Sequence, residues 1–358
     1  MRNRRTLPIL LLAAILIGIL GACGGGGSGG ASSGGDDVHK IVISYYSSES
    51  IPPGQAILNA AEEAEEKSNG RLQFDTYFSG TYVSKNDTMS ALKTGMIDMA
   101  PVEATQIASV SVLNQIFNAL IQGDVPDRAK IQEVYVKMID DIPELNGEML
   151  DAVNSFWLYP YVLGGYNIHG NKKIESIDDL KGAKIEAHAQ MGQYVNMLGG
   201  TAVELDAGDY YNGLMLGTVD SQICHWAIVN NSQLNEVVKY HTVFGATEVG
   251  SGLNIPAMGY LINKDKWDSL PADLQGILKE AFIGAAAFIF ASDAATYEKA
   301  VNVAKEDGHE FSYITGAAKK PWADAMQPIL DDWFSQCEAA GYDGRGAYEK
   351  MIQMFASA

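Results

Sequence analysis

Between residues 38 and 142, the spacing of apolar residues alternates between two periods. Apolar side chains at every second position, with many β-branched and aromatic residues, predict strands at residues 38–46, 72–78 and 96–100. Apolar side chains at every third or fourth position predict helices at residues 54–69, 87–94 and 127–142. This order of strands and helices predicts an α/β protein with a mostly parallel sheet flanked by helices.

A weak internal repeat extends this prediction to the middle of the chain. ALKTGMIDMA (residues 91–100) and GLMLGTVDSQ (residues 213–222) share the pattern Leu-x-x-Gly-x-x-Asp. In each copy the glycine, Gly95 or Gly217, suits the left-handed cap that ends a helix, and a short strand follows. A strand at residues 183–187 and helices at 192–198 and 209–216 precede the second copy, as similar elements precede the first. We therefore expect two similar α/β lobes with a small-molecule cleft between them.

The last hundred residues are predicted to be mainly helical. A strand at residues 257–264 precedes a long helix that runs from Ala272 towards Lys305, and a further helix is expected at residues 321–339. The aromatic residues of that last helix have helical spacing and are expected to pack in the core. The most apolar later run, residues 281–291, is expected to be a buried helix, and no later stretch is expected to cross a membrane.

The first 22 residues have the layout of an export signal. A basic start precedes an unbroken apolar run over residues 7–22, which is short for a membrane span. The run ends in Leu-Gly-Ala-Cys, which resembles a bacterial lipobox, where Cys23 is lipidated and becomes the first residue of the mature protein. The alternative is an ordinary secretory signal (residues 1–22) in which Cys23 is incidental.

The segment that follows is typical of a tether. Residues 24–35 are almost entirely Gly, Ser and Ala, a composition that does not bury enough apolar surface to fold. We therefore expect a tether at residues 23–37 and a folded body outside the cytoplasm, lipid-anchored to a membrane.

Charge and cysteine content limit the partners of the folded body. The chain has 44 acidic and 25 basic side chains, a net charge of −19 at pH 7. Nucleic acid and anionic lipid headgroups repel such a chain, so no nucleic-acid partner is expected. Cys224 and Cys337 could pair in an oxidising compartment, but a buried Cys224 at a cleft and a Cys337 inside a helix are the preferred interpretation.

Seven short motifs occur along residues 66–271. They are EKSNGRL (66–72), TGMIDM (94–99), IDDLKGAKI (177–185), DYYNGL (209–214), GTVD (217–220), EVVKY (236–240) and WDSLP (267–271). Together, and in this order, they resemble the solute-binding subunit of TRAP transporters, of the DctP type. The resemblance covers essentially all of residues 38–358.

This resemblance implies a periplasmic-binding-protein-like fold whose two lobes close on a solute like a hinged trap. It implies that the solute passes to the membrane permease subunits of a TRAP-type transporter driven by an ion gradient. We place lobe I at residues 38–160 with 251–305, lobe II at 161–250, and C-terminal helices that pack across both lobes at 306–358. The usual ligands of the family are small organic acids, whose carboxylate is held by an arginine that bonds both oxygens.

The chain departs from this family pattern at the predicted site. Glu186 stands where the arginine after the Lys-x-Ile segment is expected, and Tyr166 stands at the place of a second arginine. The family's Gln-Glu-Asn run reads Gln222-Ile223-Cys224. Glu186 could point away from the site, but a buried Glu186 beside a ligand carboxylate would be strongly unfavourable. We therefore hypothesise a solute that is amine-bearing, zwitterionic or neutral; an organic acid, as in most of the family, is the alternative.

Ten residues are predicted to contact the solute. Those of lobe II are Glu186, His188, Asp209, Tyr211, Tyr166, Gln222, Cys224 and Trp226, and those of lobe I are Glu103 and Tyr46. Aromatic faces attract cations, which suits an amine-bearing solute. Nine aromatic residues are expected near the cleft, three or four of them touching the solute: Tyr45, Tyr46, Trp157, Tyr159, Tyr161, Tyr166, Tyr210, Tyr211 and Trp226.

Other functions fit the sequence less well. The chain lacks the Gly-x-Ser-x-Gly, His-Glu-x-x-His and phosphate-loop motifs, and adjacent strand residues such as Cys224 and His225 point to opposite faces. We therefore expect no catalysis, cofactor or metal, although an acid–base or metal role for Glu186, His188 and His225 is an alternative. A binding component of a sensor system is another alternative, and a receptor for an ATP-driven importer does not share the motifs.

Overall fold

The computed structural model describes residues 37–119, 128–249 and 252–357. The predicted signal peptide (1–22), the lipidation residue Cys23 and all of the tether except Asp37 lie outside these described residues. The strands are β1 His39–Ser44, β2 Leu72–Tyr77, β3 Met99–Glu103, β4 Ser155–Val162, β5 Asn167–Gly170, β6 Lys184–Glu186, β7 Thr201–Val203, β8 Ser221–Cys224, β9 Tyr240–Val243, β10 Ala257–Asn263 and β11 Glu310–Tyr313.

Helices cover both faces of the sheets that these strands form. The α-helices are α1 Pro52–Lys67, α2 Thr88–Thr94, α3 Ala104–Ile107, α4 Arg128–Asp141, α5 Pro143–Val153, α6 Ala189–Met197, α7 Tyr210–Met215, α8 Trp226–Asn231, α9 Lys264–Ser269, α10 Ala272–Glu306, α11 Lys320–Ala339 and α12 Gly344–Ala356. Prolines in the first turn of α1, α5 and α11 favour these starts, because proline has no N–H to leave unpaired there.

The strands form two separate mixed sheets. The first sheet has the order β2-β1-β3-β10-β4, and the second has the order β11-β9-β5-β8-β6-β7. Within the described ranges, five of the nine strand pairings are parallel, a smaller share than the mostly parallel sheet that the sequence predicted. The antiparallel pairings all involve β5 or β10. Each of these strands arrives directly from the other sheet, without the helical crossover that a parallel pairing requires.

Local signals in the sequence are confirmed at the two copies of the repeat. Gly95 caps α2 with a φ of 69° and Gly217 follows α7 with a φ of 70°. Both values lie in the left-handed region that favours glycine. Each glycine turns the chain towards the next strand, β3 or β8, so the repeat places two strand ends in matching positions.

Alanine at Gly217 is expected to lower the free energy of unfolding by about 1–2 kcal/mol, because a β-carbon disfavours the left-handed conformation. A Cβ there would have no atom within 4 Å, so the cost arises from the backbone alone. Gly276→Ala in α10 is the matched control, since its Cβ is equally free of contacts. Alanine stabilises a helix by about 0.5–1 kcal/mol relative to glycine. Urea denaturation measures both variants, and a loss of equal size in both would contradict this explanation.

The long helix α10 packs against both sheets. Its first half contributes Leu278 and Phe282 to the core beside α1, and its second half contributes Tyr297 and Val301 to a core of the second sheet. Among the described residues, α10 alone is long and apolar enough to cross a membrane by length and composition, contrary to the expectation that no later stretch would be. Its buried stripe of side chains is also what a core helix of a folded domain has.

The C-terminal region also bridges the sheets. Helix α11 contributes Trp322 and Met326 to a core of the second sheet and Trp333 to a core of the first, as its aromatic spacing predicted. Residues 310–313, predicted as part of the C-terminal helices, instead form β11. This strand pairs in parallel with β9 and completes the edge of the second sheet.

Candidate functional site

Two extended segments connect the sheets and are bonded to each other. The Leu163 N–H donates to the carbonyl of Pro256 at 3.0 Å, and the Tyr166 N–H donates to Asn254 at 3.0 Å. The Leu253 N–H donates back to the Tyr166 carbonyl at 2.9 Å. The first segment joins β4 to β5 and the second leads into β10, so the pairing brings together the ends of strands from both sheets.

The first sheet contributes a cluster of polar side chains around Glu103, at the end of β3. The hydroxyl of Tyr46 donates to Glu103, and Thr105 donates to the same carboxylate at 3.2 Å. The Lys85 ammonium lies 3.2 Å from the carboxylate and 4.7 Å from the centre of the Tyr46 ring. Burial and the Glu103 charge both raise the pKa of Tyr46, so this phenol is a neutral donor.

The second sheet contributes a cluster around Glu186, at the end of β6. The Glu186 side chain is 2% exposed, and its Oε1 lies 2.6 Å from Nε2 of the half-exposed His188. Contact with Glu186 raises the pKa of His188, while burial opposes this. The Tyr210 hydroxyl lies 3.5 Å from the same nitrogen. A carboxylate and a chargeable imidazole therefore form a pair at this edge.

Strand β8 places two more predicted residues beside Glu186. Gln222 lies directly opposite Glu186 in the register and is 1% exposed. The Oε1 of Gln222 is buried and has no hydrogen-bond partner among the described residues. Cys224, two residues further along the same strand face, is also buried. Burial and the Glu186 charge raise the pKa of Cys224 well above its usual value, so it is a neutral thiol.

Electrostatic effects connect the two clusters across the sheets. Burial is the largest influence on Tyr166 and Tyr210, and the charge of Glu103 raises the pKa of both further. In the other direction, the charge of Lys85 lowers the pKa of His188. Side chains of the first sheet therefore lie close enough to act on side chains of the second. We call the whole group, defined by Tyr46, Lys85, Glu103, Tyr166, Glu186, His188, Tyr210, Gln222, Cys224 and His225, the cleft group.

Three members of the cleft group were not predicted as solute contacts. Lys85 lies in a loop after β2, where the sequence has no periodic signal. Tyr211 was predicted as a solute contact, but it is the adjacent residue, Tyr210, whose hydroxyl lies near His188. His225 precedes α8, with its ring centre 5.7 Å from that of Tyr166, and its buried Nδ1 has no partner in the described part of the chain. Burial, and then the charge of Arg128, lower the pKa of His225 to about 4.

Three predicted contacts are not brought into this group. Asp209 is exposed at the start of α7. Tyr211 donates to Glu236 at 3.1 Å, because one residue along a helix turns a side chain by about 100° away from Tyr210. Trp226 is 1% exposed in the core of the second sheet, and its Nε1–H donates to the Glu248 carbonyl at 2.9 Å.

The arginines in the described ranges are each paired with an aspartate. The pairs are Arg71 with Asp273, Arg128 with Asp293, and Arg345 with Asp331. Only Arg128 among them is buried, and it also donates to the Val162 carbonyl at 2.9 Å. The basic side chains of the cleft group are therefore Lys85, His188 and His225.

Neither a disulfide nor a metal-binding cluster is present among the described residues. Cys224 and Cys337 are both free and buried, so the disulfide alternative is wrong. Within residues 37–119, 128–249 and 252–357, no group of three or more His, Cys, Asp or Glu side chains is arranged to hold a metal ion.

Comparison with known proteins identifies the family. The family model for bacterial extracellular solute-binding protein, family 7 (DctP), matches residues 43–336. The C4-dicarboxylate-binding periplasmic protein DctP of Rhodobacter capsulatus is 23% identical over 296 residues, which cover 82% of this chain and 85% of that protein.

Solved structures share the fold. A TRAP periplasmic solute-binding protein from Chromohalobacter salexigens with bound D-glucuronate has 18% identity and a TM-score of 0.72, over 88% of this chain and 99% of that one. A Shewanella oneidensis counterpart with bound succinate has 18% identity and a TM-score of 0.68, over 89% and 99%. These comparisons confirm the resemblance and the two-lobed α/β fold class. The chain belongs to family 7 of the bacterial extracellular solute-binding proteins, the DctP family, whose members bind small solutes for TRAP transporters.

Proposed function

We propose that this receptor binds an amine-bearing, zwitterionic or neutral polar solute at the cleft group. The observation that carries the proposal is the buried Glu186, which replaces the arginine expected from the family pattern and is paired with His188. A carboxylate solute placed there would meet a buried negative charge, whereas an amine would find an acceptor.

The balance of charge in the cleft group supports the same class of solute. Each sheet supplies one acid–base pair, Glu103 with Lys85 and Glu186 with His188. A zwitterion complements such an arrangement, its amine at a carboxylate and its carboxylate at Lys85. Tyr46, Tyr166 and Tyr210 supply aromatic faces, each contributing about 0.5–2 kcal/mol to cation binding. Gln222 and His225 supply polar atoms that a hydroxyl or amide group can bond.

An organic-acid receptor is the second candidate, and one observation favours it. Lys85 is partly exposed and lies within reach of both sheets, so it offers a cation for a solute carboxylate. The relatives with bound D-glucuronate and succinate carry ligands of this kind. The two candidates differ in whether Glu186 or Lys85 dominates recognition.

We propose that binding closes two lobes. The lobes are those at residues 38–160 with 251–305 and at 161–250, with residues 306–358 packed across them. A solute that contacts Glu103 and Glu186 together touches both lobes, so it binds the closed state better and shifts the population towards it. The paired segments at 163–166 and 252–256 lie where such a motion would bend the chain.

We also propose how the receptor is held near its partner. Lipidation of Cys23 would anchor it, and the Gly-rich tether at residues 23–37 would let the folded body reach the TRAP permease subunits in the same membrane system. The binding component of a sensor system would use the same anchor, so the neighbouring membrane partner distinguishes these two roles.

A thermal-shift screen of the purified full chain tests the solute class. The compounds are glycine betaine, proline, putrescine, glucose, succinate and benzoate, each at high concentration. A ligand at 100 times its Kd adds about 2.7 kcal/mol, which raises the melting temperature of a folded body of this size by about 4 °C. We expect shifts with amines, zwitterions or the sugar and none with succinate or benzoate. Shifts confined to the simple acids would contradict the proposal in favour of the second candidate.

A further inference from the structure

A row of aligned side chains crosses one face of the second sheet, from the cleft group to the opposite edge. Glu186 is opposite Gln222, Gln222 is opposite His169, and His169 is opposite His241 in the strand register. Side chains opposite each other on neighbouring strands lie on the same face of a sheet. The row therefore connects β6, at the cleft group, with β9, next to the edge strand β11.

Three histidines at the far end of this row are bonded to one another, and we call them the histidine row. Nδ1 of His169 lies 2.8 Å from Nδ1 of His241, and Nε2 of His241 lies 3.0 Å from Nδ1 of His309. At the other end, Nε2 of His169 lies 3.3 Å from the Cys224 carbonyl oxygen. His169 and His241 are buried, while His309 is partly exposed.

These contacts determine where the protons are. A carbonyl oxygen only accepts, so His169 donates from Nε2 to Cys224. In a neutral ring the other nitrogen accepts, so Nδ1 of His169 accepts a hydrogen bond from the Nδ1–H of His241. By the same reasoning, Nδ1–H of His309 donates to Nε2 of His241. The remaining nitrogen, Nε2 of His309, is then the open end of the row.

The row keeps all its bonds after one proton is added but not after two. A first proton binds Nε2 of His309, and each ring still donates and accepts as before. A second proton must bind the accepting nitrogen of His169 or His241, and that buried ring then carries two N–H groups and a positive charge. Two N–H groups therefore face each other at one of the ring–ring contacts. This contact breaks or strains the row.

The surroundings oppose protonation. Burial lowers the pKa of His169 to about 3 and the pKa of His241 well below its usual value. At His309, burial lowers the pKa, Lys239 lowers it further and Asp307 raises it.

The elements packed against the row add few charges. Helix α8 contributes Trp226, whose ring centre is 4.5 Å from that of His169, and β11 contributes Phe311, 4.9 Å from His241. His225, after β8, also lowers the pKa of His169. Besides Asp307, this edge carries Glu310, which pairs with Lys173, and Glu248, which pairs with Lys305.

We propose that His169, His241 and His309 are positioning residues of the solute site, which hold the end of β8 while they are neutral and release it in acid. His169 bonds the carbonyl of Cys224, and Trp226, which packs on the row, begins α8. Loss of the row therefore loosens the segment that carries Gln222, Cys224 and His225. Its consequence for solute binding rests on the proposed function, whereas its effect on the strand does not.

Hydrogen exchange of the full chain without solute tests the proposal. Protection is compared at pH 7.5 and pH 5, after correction for intrinsic exchange rates, for a peptide covering β8 and the start of α8 and for a peptide covering β1. In the wild type we expect protection of the β8 peptide to fall at least tenfold at pH 5, because opening of the segment exposes His169 and His241, and each then binds a proton that it does not bind in the closed row. Protection at β1 is expected to change little. His241→Gln, which breaks the row at its centre, is expected to lose that protection already at pH 7.5. Equal protection of β8 at both pH values in the wild type would overturn the proposal.

Two further variants separate the row from a general effect of histidine. His309→Gln keeps an N–H donor for His241, so β8 is expected to remain protected at pH 7.5. His39→Gln removes a histidine from β1 and should behave as the wild type at both pH values. If His39→Gln altered β8 as much as His241→Gln, the row would have no special role. Because no solute is present, these results stand whether or not the thermal-shift screen supports the solute class.

Discussion

Replacing Glu186 by glutamine is expected to weaken the binding of an amine-bearing solute by about 10- to 150-fold. A hydrogen bond to a charged group contributes about 1.5–3 kcal/mol, and each 1.4 kcal/mol is a factor of ten in Kd. The Glu186 side chain is 2% exposed, so water does not replace the charged hydrogen bond that the solute loses. Isothermal titration with the compound that gives the largest thermal shift measures the change.

The matched control is Glu204→Gln. The Glu204 carboxylate lies 3.9 Å from Nδ1 of His188 but is exposed, so the same chemical change there should leave Kd nearly unaltered. The pKa of His188 supplies an internal check by NMR titration. It should fall in Glu186→Gln, because contact with Glu186 raises it in the wild type. Unchanged solute binding in Glu186→Gln, with a lowered His188 pKa, would exclude Glu186 as a solute contact.

Replacing Asp293 by asparagine is expected to lower the free energy of unfolding by about 3–5 kcal/mol. Asp293 lies 2.8 Å from the guanidinium of Arg128, which is buried and also bonds the carbonyls of Val162 and Phe290. Burial raises the pKa of Asp293 more than Arg128 lowers it, so the pair itself adds little net stability. Removal of one partner, however, leaves a buried charge without its counter-charge.

Urea denaturation tests this prediction against Asp273→Asn. Asp273 pairs with Arg71 at the surface, and exposed pairs of this kind contribute little because water solvates both charges. We expect a clear shift of the unfolding midpoint for Asp293→Asn and none for Asp273→Asn. Similar midpoints for the two variants would show that burial of Arg128 does not determine how much stability Asp293→Asn loses.

Features that depend on one or two neighbouring residues could be predicted from the sequence. The caps at Gly95 and Gly217 follow from the conformational freedom of glycine, and the long helix α10 follows from its continuous helix-forming composition. The strand β4 was missed because its eight residues, SFWLYPYV, do not alternate between apolar and polar, and β5, β7 and β9 were missed because each is only three or four residues long. Such short runs have too few positions to establish a period.

The cleft group could be predicted only in part, for reasons of geometry. Glu186, Gln222 and Cys224 lie on strands whose alternation fixes their common face. Trp226, two residues after Cys224, would share that face only if β8 continued. The strand ends at Cys224 and α8 begins at Trp226, which turns the indole into the core. Lys85 joins Glu103 from a loop, where no periodic pattern gives direction.

Contacts between distant segments were not visible in the sequence. The histidine row joins residues separated by 72 and 68 positions along the chain. No motif links the three histidines, and each alone is compatible with a surface position. Their alignment arises from the order β11-β9-β5-β8-β6 in the second sheet, which the sequence did not establish.

The position of Glu186 at the solute is best tested by a crystal structure of the receptor with the compound that gives the largest thermal shift. We expect a solute enclosed between the two sheets, with a nitrogen or hydroxyl within hydrogen-bond distance of Glu186 and with contacts to Tyr46 or Glu103. A solute carboxylate held by Lys85, with Glu186 turned away and without contact, would contradict this expectation.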